Sequence, residues 1–173
     1  EIANLVEFWL PSGSGQAWYH SGHRAGLGDN HLVSRYPIEA AYVIDKDTNA
    51  YMLDVLGVRT LVLVSHPPCC GNDDGRRVAF NNMMEFVKQV KNGEGPNAFR
   101  LQDKTPIIIT GDMNLVRNSD QQRTLVHGEF TSVNGGPALE DFAPDWDGSS
   151  LEDAKSPNPY LPTTFTWYAT PRD

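Results

Sequence analysis

Ile107-Ile108-Ile109-Thr110-Gly111-Asp112-Met113-Asn114 is the stretch on which the reading of this chain turns. Pro106 opens it, and three β-branched residues follow in a row, which predicts a strand buried on both faces. Gly111 then lets the backbone turn, and Asp112 and Asn114 arrive at the strand's end. In open α/β sheets, ligands bind outside the carboxyl ends of the strands. A carboxylate and a carboxamide two residues apart can point at one small site there if the loop curls. The carboxylate can accept a proton from water or hold a cation, and the carboxamide can donate and accept at once. Asp and Asn after a Gly are also common turn formers, so these eight residues alone leave a turn and a site as alternatives.

A second strand ends in a similar way. Residues 58–65 carry Leu61-Val62-Leu63-Val64 and run directly into His66-Pro67-Pro68. If the two strands are neighbours in one sheet, His66, Asp112 and Asn114 stand at the same rim. An imidazole can donate to a phosphate oxygen and, when protonated, offset developing charge. A nearby carboxylate can orient or deprotonate an attacking water. The plainer alternative for His66 is a strand-end histidine satisfied by a backbone carbonyl, with the two prolines simply ending the strand.

The rest of the chain supplies an α/β frame. Ile2, Leu5, Val6 and Trp9 fall at helical spacing over residues 1–10. Ala79, Met83, Phe86, Val87 and Val90 form an apolar stripe over residues 77–91, after a polar loop at 71–75. Ser119 can cap a short third helix. Strands are expected around Trp18-Tyr19, at residues 31–38 with Pro37 marking the end, and at 163–168. Residues 41–45 and 50–54 read as a hairpin turned by Lys46-Asp47-Thr48-Asn49. Strands alternating with helices argue for α/β architecture, and the hairpin argues for mixed sheets. The 173 residues show no repeat and no linker, so one domain over 1–173 is expected.

Composition narrows the chemistry. Hydrophobic residues at 39% and charged residues at 21% suit a globular domain with a core of its own. The net charge of −8 gives no general attraction to polyanions, so a nucleic-acid substrate would need a local basic patch or bridging cations. No apolar run is long enough to span a membrane. Cys69 and Cys70 are adjacent, which makes neither a disulfide framework nor a zinc site; a vicinal disulfide and two free thiols both remain open. They also lack the two-residue spacing of thiol-redox motifs.

Taken in order, His31-Leu-Val-Ser-Arg-Tyr-Pro-Ile38, Leu61-Val-Leu-Val-Ser-His66 and Ile107-Ile-Ile-Thr-Gly-Asp-Met-Asn114 give the chain a family likeness. It resembles the endonuclease/exonuclease/phosphatase superfamily, which contains pancreatic-type deoxyribonuclease, abasic-site endonucleases, sphingomyelinases and inositol-polyphosphate phosphatases. The His66-Pro-Pro-Cys-Cys-Gly71 stretch is similar to a bacterial subgroup.

The resemblance implies an α/β fold: a two-sheet mixed β-sandwich flanked by helices, four layers in all. It implies a metal-dependent phosphoesterase that hydrolyses a phosphodiester or phosphomonoester by in-line attack of water. Asp112 would orient or activate that water. Asn114 would hydrogen-bond the scissile phosphate and orient its neighbours, and His66 would contact the phosphate and stabilise charge. Glu1, set before a helix as in the family, would be the metal ligand, though an acid at a helix start is also ordinary. Mg²⁺ suits the site because it keeps several waters, and Mn²⁺ is an alternative. Arg35 and Tyr36 stand where the family has a similar pair near the cleft and would bind substrate. The Arg76-Arg77 pair could meet phosphate or simply be the solvated start of a helix. Asp145 and Asp147 could hold Ca²⁺ or belong to a solvated loop.

Three family elements have no counterpart in this sequence: the amino-terminal strand with its active-site Asn, the Arg-x-Asp-aromatic-Ile strand, and the closing Ser-Asp-His. The chain is therefore expected to be the central portion of the family domain, incomplete at both termini. The substrate is expected to be phosphorylated: nucleic acid, a phospholipid headgroup or a small phosphoester. No obligate protein partner is implied. The rival expectation is a non-catalytic binding module that keeps the same fold.

Overall fold

Leu61, Val62 and Leu63 are almost wholly buried, and the strand that carries them is central to the four-stranded sheet. In the computed structural model, residues 2–11, 13, 17–21, 30–115 and 119–154 are described. Their elements in chain order are α1 (Ile2–Trp9), β1 (Tyr19–His20), β2 (Val33–Ser34), β3 (Ile38–Asp45), β4 (Thr48–Val55), β5 (Val58–Ser65), α2 (Asp73–Lys91), β6 (Ile107–Gly111) and α3 (Ser119–His127). The sheet runs β3-β4-β5-β6, antiparallel at its first two pairings and parallel at the last. β1 and β2 form a separate two-stranded ribbon. The α/β class and the mixed sheets expected from the sequence are therefore present, with helices flanking them.

Parallel strands need a long crossover, and α2 supplies it between β5 and β6. Its apolar stripe settles on one sheet face. Phe80, Met83, Met84, Phe86, Val87 and Val90 pack with Ala50 and Met52 of β4 and with Leu61 and Leu63 of β5. Burying each large apolar side chain here stabilises by about 1.5–3 kcal/mol. Residues of opposite parity, Tyr51, Leu53 and Val62, form a second cluster with Leu32, Ile38 and Val64 around it. Strand alternation thus gives the sheet two apolar faces.

The elements depart from the sequence reading in four places. The hairpin is tighter and longer than expected: β3 and β4 extend to Asp45 and Thr48, leaving Lys46 and Asp47 as the turn, with Asp47 N–H donating to Asp45 Oδ1 at 2.9 Å. The strand expected over 31–38 is broken, since only Val33–Ser34 pairs before Pro37, which has no N–H for a ladder. The helix α2 begins at Asp73, inside the stretch read as a polar loop. Asn72 caps it by accepting from Gly75 N–H at 3.0 Å, and Asp73 and Asp74 lie in its first turn, which outweighs the poor helix propensity of Gly75.

The fourth departure concerns β6. Among the described residues it is the outermost strand of its sheet, and Ile108 is 49% exposed. The expectation of burial on both faces therefore does not hold for residues 107–109. A β-branched run marks a strand but does not say how many neighbours flank it. The strand expected at 163–168 lies outside the described residues.

Beyond β6, the acidic stretch is tied to the helix rather than free in solvent. Lys91 Nζ donates to the carbonyls of Ala143, Pro144 and Asp145 at 3.1, 2.7 and 2.9 Å and lies 4.9 Å from the Trp146 ring. Burial holds its ammonium below the usual lysine range, with Asp145 acting in the opposite sense. The Ser149 side chain, and then the Ser149 N–H that donates to Asp147 Oδ1 at 2.9 Å, hold the Asp147 carboxylate below its ordinary range. Asp145 and Asp147 belong to a turn, in which Asp145 N–H donates to Ser149 O at 3.1 Å; among the described residues no group of three or more His, Cys, Asp or Glu is placed to hold a metal ion. No described helix is long and apolar enough to cross a membrane.

Candidate active site

The last pairing of the parallel strands is Ser65 with Gly111. One step further along each chain stand His66 and Asp112, so the register places them side by side at the carboxyl rim. Both are exposed. This is the rim where an α/β sheet ordinarily binds ligands. The close approach depends on Gly111, whose φ is +136° and whose missing Cβ would fall inside the van der Waals radius of Ser65 O. Gly111→Ala should therefore lower stability by about 2 kcal/mol, read as a shift in the urea unfolding midpoint; an unchanged midpoint would mean the strands sit further apart there.

Asn114 completes the group. Its backbone N–H donates to Asp112 Oδ1 at 3.1 Å, and its own φ is +48°, a left-handed conformation that Asn tolerates better than most residues. Its Nδ2 donates to Pro67 O at 2.9 Å. The carboxamide thus ties the loop after β6 to the loop after β5. Of the two alternatives left by the sequence the turn is realised: Asp112 forms an Asx turn, and that turn brings Asn114 to the rim. One amide hydrogen of Asn114 is used on Pro67, and an amide has a second to offer.

His66 is held by its backbone. Its N–H donates to Asp47 O at 2.9 Å, and the same carbonyl accepts from Ser65 Oγ at 3.1 Å and Asn30 Nδ2 at 2.8 Å. Ser65 Oγ also meets Thr48 Oγ1 at 2.8 Å. The bland expectation for His66 is met at the backbone, not at the ring, which has no hydrogen bond among the described residues. The two-residue turn at Lys46-Asp47 is therefore a buttress of the site. Nothing in the sequence marked Asp47 for that role, since the work is done by its carbonyl.

Behind the rim lies a polar anchor on the face opposite α2. Tyr51 Oη donates to Asn30 O at 2.5 Å, and Asn49 Nδ2 donates to the same oxygen at 2.8 Å. Asn30 is thereby fixed at both its carbonyl and its carboxamide. These contacts join the segment leading to β2 to the site end of β4.

On the other side of His66, the Pro67-Pro68-Cys69-Cys70 loop is held by a side chain that the sequence left ambiguous. Arg76 is 1% exposed. Its NH1 donates to Pro68 O at 2.9 Å and Cys70 O at 3.0 Å, its Nε donates to Gln121 Oε1 at 3.1 Å, and its NH2 pairs with Asp73. Gln121 Nε2 in turn donates to Asp73 O at 3.1 Å. Arg76 is a buried clamp joining the loop, α2 and α3, and neither a solvated helix start nor an accessible phosphate contact. Arg77 is the one paired near the surface, with Asp74 at 2.8 Å. Cys69 and Cys70 are free thiols, both exposed.

The remaining expected residues are not gathered at this rim. Pro37 O accepts from Asp54 N–H at 3.0 Å, and Asp54 pairs with Arg59 near the start of β5. Arg35 and Tyr36 precede that contact, so they lie at the opposite end of the sheet. Residues 60–65 of β5 span about 17 Å at the rise of a strand. The Arg35 guanidinium sits 4.8 Å from the Trp18 ring centroid. Glu1, the expected metal ligand, lies outside the described residues.

Structural comparison finds similar chains among solved structures, of which three follow. Sphingomyelinase C from Streptomyces griseocarneus aligns with a TM-score of 0.40 and 18% identity, over 54% of this chain and 36% of that one. A β-hairpin deletion mutant of beta toxin from Staphylococcus aureus aligns with a TM-score of 0.38 and 19% identity, over 54% and 37%. A double mutant of the same toxin, with bound magnesium ions, aligns with a TM-score of 0.37 and 18% identity, over 54% and 36%. The aligned part is little more than a third of the length of those structures. No protein-family model and no curated protein matches the sequence.

Proposed function

We propose that the chain carries the central catalytic rim of a metal-dependent phosphoesterase, which hydrolyses a phosphodiester or phosphomonoester by in-line attack of water. The observation that supports this most is the Ser65–Gly111 register, which brings the backbones of His66 and Asp112 to neighbouring positions while Asn114 ties their loops together. Asp112 is the group that orients the attacking water and takes its proton. The second amide hydrogen of Asn114, unused among the described residues, is offered to a non-bridging phosphate oxygen. The imidazole of His66 donates to the phosphate and, when protonated, offsets the charge that gathers there.

The carboxylate oxygens of Asp112 at the rim suit a hard cation that keeps most of its waters, of which Mg²⁺ is the first choice and Mn²⁺ the second. Glu1 is the residue we assign to hold it, and when bound it would offset negative charge on the phosphate oxygens. Arg35 and Tyr36, across the sheet, would touch only a substrate long enough to extend over it. The acidic balance favours a small phosphorylated substrate over duplex DNA. The chain is read as one domain over its whole length.

The test is hydrolysis of bis(4-nitrophenyl) phosphate by the full chain with Mg²⁺ or Mn²⁺, with and without EDTA. Turnover that disappears on chelation and returns with added cation is expected. Equal rates with chelator present would rule out the metal-dependent mechanism. Absence of turnover together with retained binding of a phosphodiester would favour the binding-module alternative.

A further inference from the structure

Cys69 and Cys70 are adjacent in sequence, both exposed and both free, with their sulfurs 2.6 Å apart. They belong to the loop that carries His66, and no step proposed above uses them. Their backbone is unusually well connected. Pro67 O accepts from Asn114, Pro68 O and Cys70 O accept from Arg76, and Cys69 O accepts from Asn72 N–H at 3.4 Å. Each carbonyl from Pro67 to Cys70 thus has a donor in the surrounding structure.

We propose that Cys69 and Cys70 are a redox-modification site, a vicinal dithiol that closes to an intramolecular disulfide by exchange with a low-molecular-weight disulfide and, on closing, loosens the His66–Asn114 rim. The effect on the rim, though not the modification, rests on the phosphoesterase reading. The exchange proceeds in two balanced steps. The Cys69 thiolate attacks one sulfur of the disulfide reagent, forms a mixed disulfide and expels one thiolate. The Cys70 thiolate then attacks the Cys69 sulfur, closes the ring and expels the second. The protein loses two electrons and two protons, and the reagent leaves as two thiols. The hydrogen bond with Cys69, and then its charge, push the Cys70 thiol above the ordinary range, so the second step quickens as the pH is raised.

Backbone geometry links the ring to the site. Adjacent Cα atoms stand about 3.8 Å apart across a trans peptide, whereas disulfides ordinarily join Cα atoms roughly 4.4–6.8 Å apart. That separation is set by the covalent chain, so the closed ring is strained, and the strain is relieved by twisting the torsions on either side of the 69–70 peptide. Cys70 holds a φ of +63° and its carbonyl is an Arg76 acceptor, so the movement draws on the clamp that also fixes Pro68 O. Pro67 O, the acceptor for Asn114, lies one residue beyond. The fixed φ of the two prolines carries the displacement along the chain instead of absorbing it.

The experiment treats the reduced full chain with excess oxidised glutathione and follows it three ways. Intact mass should fall by about 2 Da, the two hydrogens lost, with Cys69 and Cys70 then protected from iodoacetamide and recovered by dithiothreitol. A product carrying glutathione on both cysteines, or chains joined to one another, would overturn the modification site. Hydrogen exchange over residues 66–76 should quicken in the oxidised form, first at Asn72; unchanged exchange would overturn the loosening. Where the chain hydrolyses bis(4-nitrophenyl) phosphate, oxidation should slow it about tenfold, reversibly, because small misplacements at a reacting centre are costly. Cys70→Ser should make the rate indifferent to the oxidant. An equal rate before and after ring closure would remove the coupling. Mass and exchange are read without turnover, so a chain that fails to hydrolyse still decides whether the dithiol closes and the loop loosens.

Discussion

Asp112→Asn is expected to slow Mg²⁺-dependent phosphodiester hydrolysis by about 10²- to 10⁴-fold, the range in which a positioned general base contributes. The substitution is close to isosteric, and Asp112 is exposed at the rim, with no core contact to lose. Its Oδ1 accepts from Asn114 N–H at 3.1 Å, and a carboxamide oxygen can accept the same bond. The Asx turn therefore survives, and Asn114 keeps its hold on Pro67 O. What disappears is one negative charge and the ability to take a proton from water. Stability in urea should change by no more than about 0.5 kcal/mol, as for other surface substitutions. A rate within a few-fold of the parent, with folding intact, would place the essential base on another residue. A large loss of stability would instead mean that the carboxylate is structural.

Which parts of this site were readable beforehand follows from what kind of group does the work. In the proposed reading His66, Asp112 and Asn114 would act through their side chains, and a polar residue that ends an apolar run stands out in any sequence. That β5 and β6 are neighbours was only a condition in the sequence, and the parallel pairing that ends at Ser65–Gly111 meets it. The supports were hidden for the opposite reason. Asp47 contributes a backbone carbonyl, and every residue has one. Arg76 sits beside Arg77, and local pattern cannot say which guanidinium turns inward. Position decides it: Gln121, Asp73 and the carbonyls of Pro68 and Cys70 lie around Arg76, while Arg77 meets Asp74 near the surface. The placement of Arg35 and Tyr36 was hidden because a motif gives order along the chain but no direction across a sheet. Pro37 breaks the strand there, and the chain enters β3 at the end away from His66.

Arg76→Leu should cost about 3–5 kcal/mol of stability, the largest effect expected outside the reacting groups. Leucine fills part of the volume but donates nothing. Gln121 Oε1 would lose a donor in a buried setting, where an orphaned acceptor costs about 1–3 kcal/mol, and Pro68 O and Cys70 O would lose theirs in a partly buried one. Asp73 is half exposed and can turn to water, so its carboxylate adds little to the loss. Arg76→Lys separates charge from geometry: an ammonium keeps the cation, but it cannot reach two carbonyls, a carboxamide and a carboxylate from one planar fork. Its cost should fall between that of leucine and the parent. Arg77→Leu is the matched control, because its ion pair with Asp74 is largely solvent-exposed and contributes less than about 1 kcal/mol. Guanidinium unfolding of the four proteins measures the series directly. If Arg76→Leu and Arg77→Leu unfolded at the same midpoint, the clamp would carry no stability. The loop bearing His66 would then be held by Asn114 and Asp47 alone, which is the arrangement that would also leave the site indifferent to the state of Cys69 and Cys70.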